Sequence, residues 1–382
     1  MKIKRYYMED WLNNSMGVEC NLSASGCQDF HLQEFLEICH VELQELNPLF
    51  LGDNSTMGTL QLRREICRSY QRLEPGEIMV TNGTSEAIFV FFNQLLAEGD
   101  EVIVPFPAFQ CLYQVPISIG CRVRFLDLLA CKDWKLDLEQ LDHMVTPNTK
   151  LIIINNPHNP LGCTLSAEYL RRIGEIAGKN ECYLFFDEHY RYLPINPQTR
   201  LIPSGYDICK PIHDKTYASG SMIKCFGMVG IRIGWLIGEM QMLTACRDYK
   251  DYLTHTIPSI TDYLAYIALK NKEKIITEKK KHILRNIKLL NQLMEEHSDV
   301  FQYREPGGGV VCFPKLRKQE DSKFFCEALL EKHGVSLLPG STFRAEGDLK
   351  PDAHFRLNFG IHWEIFEKAL ERIRNFIHQQ KM

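Results

Sequence analysis

The chain has 382 residues, 45% hydrophobic and 24% charged, with 44 Lys and Arg set against 48 Asp and Glu. That length can bury a large core, and apolar content this high with charge this balanced excludes a chain that is mainly disordered. The net charge of −4 excludes a global basic footprint for nucleic acid, and no apolar run approaches the ~20 residues of a membrane-spanning helix.

The basic start, Met1 to Arg5, is followed by no apolar stretch, so no signal peptide is expected. Leu32, Phe35, Leu36, Cys39 and Leu43 recur at helical spacing and predict a helix over about 31–46. A glycine-punctuated stretch over 52–58 leads to a second helix near 60–73. Short strands and helices then alternate: strand 78–81, helix 85–96, strand 101–104 ending at Pro105, strand 151–154, amphipathic helix 166–178, strand 182–186 ending at Asp187, and strand 216–219 ending in Gly220. The strands are apolar on both faces, as a sheet covered by helices requires. The pattern predicts an α/β fold with a mostly parallel sheet. A helical tract over about 259–297 follows, and its charged run 272–282 reads as a solvated face. The tail mixes strands 309–313 and 355–359 with helices 321–333 and 363–378, which predicts a smaller α+β domain. The 14 Cys include no CxxC pair and mostly sit in apolar stretches, so reduced thiols in a cytoplasmic protein are expected.

Ligands of open α/β sheets bind beyond the carboxyl ends of the strands. Here those ends carry Asn82 to Ser85, Pro107 to Phe109, Asn156 to Asn159, Asp187 to Tyr190 and Ser221 to Lys224. Gly83, Thr84 and Ser85 between a strand and a helix form a phosphate site or a plain helix cap. Lys224 stands between a strand end and a glycine-rich apolar loop, where desolvation would lower its pKa and suit it to forming an imine. Arg232, eight residues on, can hold a phosphate. Asp187 directly follows an apolar strand and needs a partner if buried. Taken together, the residues supply what pyridoxal phosphate requires. Lys224 answers its aldehyde, Asp187 its ring nitrogen, Tyr190 and Asn159 its phenolic oxygen, and Phe109 its ring face. Thr84, Ser85, Ser221 and Arg232 answer its phosphate.

The segment from Ser219 to Trp235, with Ser221, Lys224, Arg232 and Gly234, resembles the S-x-x-K…G-x-R-x-G signature of the class I/II aminotransferases, the fold type I pyridoxal-phosphate enzymes. Asn156 to Gly162 is similar to that family's N-P-x-N-P-T-G loop, with Leu161 in place of threonine. Asp187 to Tyr190 matches its D-x-x-Y. Arg356 to Phe359 resembles the R-L-x-F element whose arginine clamps the substrate α-carboxylate, and Gly26 falls where the family has a glycine that touches substrate. The resemblance covers nearly the whole chain. It implies catalysis by Lys224, Asp187 and Tyr190, and substrate contacts from Gly26, Asn159 and Arg356. It also implies a homodimer with sites at the interface and no partner beyond a small amino acid. Its domains would be an N-terminal arm with part of the small domain (1–44), a large cofactor domain (45–265) and a C-terminal small domain (266–382).

One position departs from the family. Asp53 stands where a tyrosine usually opens a Y-G-x-x-x-G segment and reaches the neighbouring subunit's site. With Met8 to Trp11, Ser23 to Gly26, and Asp29 and Phe30, this feature resembles capreomycidine synthase-like proteins, which cyclise a β-hydroxyarginine by elimination and re-addition. A carboxylate at 53 would pair with a substrate guanidinium, or cap a turn. Three other classes lack their motifs. No GxGxxG follows the first strand, no P-loop occurs, and no HExxH or other zinc spacing is present, so no metal is expected. A regulator that binds pyridoxal phosphate without catalysis stays as the non-enzyme alternative; it would be expected to carry a fused DNA-binding segment, for which the short N-terminus leaves no room.

Overall fold

The computed structural model describes residues 2–130, 134–318, 321–343, 345 and 352–381. Seven strands form the main sheet: β1 (Ile78–Thr81), β2 (Glu101–Phe106), β3 (Arg122–Asp127), β4 (Thr149–Asn155), β5 (Tyr183–Asp187), β6 (Thr216–Ser221) and β7 (Gly234–Ile237). Their order is β1-β7-β6-β5-β4-β2-β3. β7 runs antiparallel to both neighbours, and the other pairings are parallel. The fold is the α/β class that the strand–helix alternation predicts.

Period-2 alternation builds two cores from these strands. Ile78, Val80, Ile103, Ile152, Ile154, Leu184 and Phe186 face one layer. Met79, Val102, Val104, Leu151, Ile153 and Phe185 face the other. The helix Thr84–Leu95 lays Ala87, Ile88, Phe91 and Phe92 on the second layer. The helix Ala167–Lys179 lays Leu170, Ile173 and Ala177 on the first. Both faces are covered, which is why the strands read as continuous apolar runs.

The structure corrects several expectations. β2 continues through Pro105 to Phe106, because its pairing with β4 stops at Ile103 while its pairing with β3 runs on. A proline lacking its N–H is tolerated where one side of the strand is unpaired. β3 is an edge strand whose residues alternate charged and apolar, so it has no apolar run to betray it. The helices Tyr7–Asn14, Cys111–Ile119, Leu138–Met144, Gly205–Cys209 and Met240–Lys250 and the short strand β7 are further elements beyond the predicted set. The tract over 259–297 is two helices, Ser259–Lys270 and Lys272–Glu296, parted at Asn271. The run 272–282 is not wholly solvated, since Lys279 is buried.

Beyond the main sheet, Cys20–Asn21 pairs with Val335–Ser336. Phe355–Asn358 is the centre of a three-stranded sheet between Val311–Cys312 and Leu338–Pro339. That central position fixes Arg356. Thirteen described cysteines are free; Cys131 lies outside the described residues. No helix among the described residues is long and apolar enough to cross a membrane.

Candidate active site

A cleft of about 570 Å³ opens where the carboxyl ends of the central strands meet the loop 24–29 and the strand Phe355–Asn358. Gly83 stands between β1 and the helix Thr84–Leu95 with φ +87°, and a Cβ there would stand 3.0 Å from Nη2 of Arg232. Glycine therefore lets the guanidinium close over the start of the helix Thr84–Leu95. That helix has no side-chain cap, so its first N–H groups are free for a ligand. Thr84, Ser85 and Arg232 line the cleft. Ser221, at the end of β6, has a buried hydroxyl with no hydrogen-bond partner among the described residues.

Lys224 lies in the same cleft, and its Nζ donates to Oγ of Ser25 at 2.9 Å. Burial pushes its pKa down to about 8, and the charges of Arg356 and Arg232 add to the effect.

Asp187 is fully buried at the end of β5. Its carboxylate accepts from Oγ of Ser219 at 3.0 Å and meets Nδ1 of His189 at 2.9 Å and Nδ2 of Asn155 at 3.4 Å. Asn155, Asp187 and Ser219 are register partners on three adjacent strands. Nδ1 of His189 carries the proton if it donates to Asp187, and its Nε2 has no partner among the described residues. His158 is kept neutral by burial and by neighbouring His189, which pull its pKa down to about 3.

Tyr190 is buried and its hydroxyl donates to the Ser25 carbonyl at 2.5 Å. Arg356 is fully buried, and burial pushes its pKa down to about 10. Nη1 donates to Oδ1 of Asn159 at 3.1 Å and Nη2 to the Ser23 carbonyl at 2.7 Å. Nε has no partner, and no carboxylate pairs with the guanidinium among the described residues. A cation buried this way carries unmet charge directed at an anion. Gly26 and Phe109 line the cleft beside these groups.

Gly83, Thr84, Ser85, Phe109, Asn159, Asp187, Tyr190, Ser221, Lys224, Arg232, Gly26 and Arg356 thus gather around one end of the sheet. Asp53 does not join them. It is exposed, accepts from Oγ1 of Thr256 at 3.5 Å, and is not among the residues lining the cleft. The carboxylates that do line it are Glu9, on the N-terminal helix Tyr7–Asn14, and Asp29. Sequence reasoning missed Glu9, Ser25, Asn155, His189 and Ser219 as site residues. For Asn155 and Ser219 a signal was present: Asn155 closes the apolar run of β4, and Ser219 is a polar residue following Tyr217 and Ala218 within β6.

A family model described as aminotransferase class I and II matches residues 31–373. The chain belongs to that family. It is a pyridoxal-phosphate-dependent enzyme acting on an amino acid. It is 30% identical over 332 residues to an aspartate aminotransferase of Thermotoga maritima, with 85% of this chain and 82% of the relative covered. It is 26% identical over 342 residues to capreomycidine synthase of Streptomyces vinaceus, with 88% and 86% covered. A solved structure of a pyridoxal-phosphate-dependent cyclase, OrfR, superposes with a TM-score of 0.90 at 28% identity, covering 100% of this chain and 98% of that one.

The residues present fit the cofactor of this aminotransferase family. The unpartnered Ser221 hydroxyl, the uncapped helix start and the Gly83–Arg232 approach form a phosphate cradle. The buried Asp187 carboxylate suits a cationic ring nitrogen, and Lys224 has the depressed pKa that an imine-forming amine needs.

Proposed function

We propose that this chain transfers the amino group of an amino acid, with Lys224 carrying the α-proton. The cofactor's phosphate would be held by Gly83, Thr84, Ser85, Ser221 and Arg232. Its ring would lie against Phe109, with Asp187 at the ring nitrogen and Asn159 and Tyr190 at the phenolic oxygen. When bound, the cofactor supplies an electron sink that makes the α-proton acidic.

The protein's own residues do the rest. Arg356 takes the substrate carboxylate through its free Nε, with Asn159 and the Gly26 backbone beside it. That contact orients the α-carbon toward Lys224. With a pKa near 8, Lys224 is partly neutral at physiological pH and can take the proton on Nζ, then return it. Ser25 couples the two ends of the site, since its hydroxyl accepts from Lys224 and its carbonyl from Tyr190. The carrying observation is a pair of neighbouring cations: Lys224 lines the cleft, and the fully buried Arg356, whose charge helps lower the Lys224 pKa, pairs with no carboxylate among the described residues.

Glu9 favours a second reading. A carboxylate lining the cleft matches a cationic side chain, and a guanidinium is the best bidentate partner. The likeness to capreomycidine synthase and to a cyclase points the same way. With a β-hydroxyl as leaving group, the same proton removal ends in elimination and ring closure. Phe50, Leu51, Tyr252 and Leu253 are exposed large apolar residues flanking Asp53 and its neighbour Thr256. They support a homodimer in which this face covers a second copy and carries Asp53 toward the partner's cleft.

The test is the visible absorption spectrum during additions of arginine, 3-hydroxyarginine, alanine, glutamate and aspartate. Conversion to the amino form of the cofactor by common amino acids supports amino transfer. Perturbation by arginine-type substrates alone, with the original band returning without an acceptor, supports cyclisation. No visible band after added pyridoxal phosphate overturns both.

A further inference from the structure

Lys279 lies in the middle of the charged run on the helix Lys272–Glu296, yet it is buried. Its Nζ donates to the Gln28 carbonyl at 2.7 Å and sits 3.2 Å from the centre of the Phe30 ring. No carboxylate forms an ion pair with it among the described residues. Burial lowers its pKa, and nearby Cys27, Glu34 and Asp29 oppose that shift. A third segment meets it at the same point. Gly227 has φ +64°, and a Cβ there would stand 2.1 Å from the Gln28 oxygen and 2.8 Å from Nζ of Lys279.

These contacts tie the helix to the loop 25–30, which is itself hydrogen-bonded to the loop 224–230. The amide of Cys27 donates to the Lys224 carbonyl and that of Phe30 to the Gly227 carbonyl, each at 2.9 Å. The amide of Val229 donates to Oδ1 of Asp29 at 3.0 Å. Seven residues further along the helix, on the same face, Nδ2 of Asn286 donates to the carbonyls of Phe359 and Ile361 at 3.0 and 2.9 Å. Those residues follow the strand that carries Arg356. The amide of Gln28 donates to the Gly360 carbonyl, which joins the two walls.

We infer that Lys279 is a positioning residue for the amino-acid site: its ammonium pins the loop 25–30 to the loop 224–230 and so sets where Ser25 and Gly26 stand against Lys224. A buried ammonium is costly without a carboxylate, and here it is spent on one carbonyl and one ring face. Losing it leaves the Gln28 carbonyl without this donor and frees the Phe30 ring. The inference rests on the reading that this cleft binds an amino acid.

The experiment compares the cofactor-loaded wild type with Lys279→Ala and Lys279→Met, the second keeping the apolar stem should the first fold poorly. The substrate is whichever of arginine, 3-hydroxyarginine, alanine, glutamate and aspartate the wild type turns over fastest. KM is expected to rise about tenfold in both variants with kcat within about twofold, the size of one lost buried hydrogen bond. Amide hydrogen exchange over 24–30 and 225–230 is expected to quicken by about tenfold, while exchange along the rest of the helix stays unchanged. Propylammonium added to Lys279→Ala restores KM, and added to Lys279→Met it does not. Unchanged KM and unchanged loop exchange overturn the inference, as does loosening of the whole helix that propylammonium fails to reverse. A wild type that turns over none of these substrates overturns the amino-acid reading instead, while the exchange measurement still decides on Lys279.

Discussion

Replacing Lys224 with methionine should stabilise the cofactor-free protein, and by an amount that depends on pH. The folded chain holds Lys224 at a pKa of about 8 against an ordinary 10.5. The unfolded chain keeps its proton up to the ordinary value, so between the two the unfolded state binds more protons and stability rises with pH. Below pH 8 both states are protonated and the whole penalty is present. At ~1.4 kcal/mol per pH unit that penalty is about 3 kcal/mol. The variant loses the hydrogen bond to Ser25, which offsets about 1 kcal/mol. Lys224→Met should therefore exceed the wild type by about 2 kcal/mol at pH 7, and the advantage should vanish near pH ~10 and reverse above it, where only the lost hydrogen bond remains. Urea denaturation of both cofactor-free proteins at pH 7, 8.5 and 10 measures this, and the difference between them cancels other titrating groups. A gap that does not change with pH, or a variant less stable at pH 7, would refute a desolvated lysine.

Three further outcomes are expected. Arg356→Gln should raise KM for the amino acid about 10- to 100-fold with a smaller effect on kcat, because a charge-assisted hydrogen bond to the carboxylate is lost; steady-state kinetics decide this. Ser221→Ala should weaken pyridoxal phosphate about five- to tenfold, the worth of one hydrogen bond, in a fluorescence titration of the cofactor-free protein. Glu9→Gln should raise KM for arginine-type substrates several-fold and leave that for alanine unchanged. Equal effects on both substrates would remove Glu9 from side-chain recognition.

Most of the cofactor side of the site was legible because each residue ends an apolar strand or opens a helix. Asp187 after the run 182–186, Lys224 after Ser221 and Gly83 before Thr84 are positions where the chain leaves the sheet at its carboxyl edge. The substrate side was not legible in the same way. Asp53 offered a carboxylate in a family position, but the single chain leaves it exposed beside Thr256. Glu9 is one acidic residue in the first turn of a short helix, which alone reads as a favourable charge at a helix start. The edge strand β3 and the parting at Asn271 were hidden because alternating or continuous periodicity gave no boundary to read.

The linear order of residues determined the fold class, the two buried faces of the sheet and the chemistry of its carboxyl edge. Apolar period and strand-end polarity are local properties of a chain, so they survive without coordinates. Tertiary structure alone decided which groups meet. Sheet register sets Asn155, Asp187 and Ser219 side by side although each is about thirty residues from the next. The central strand Phe355–Asn358 carries Arg356 to Asn159 and Ser23. The helix Lys272–Glu296 turns one lysine of a charged run inward, onto the Gln28 carbonyl. Contacts between distant segments depend on register and packing angle, which neighbouring residues do not encode.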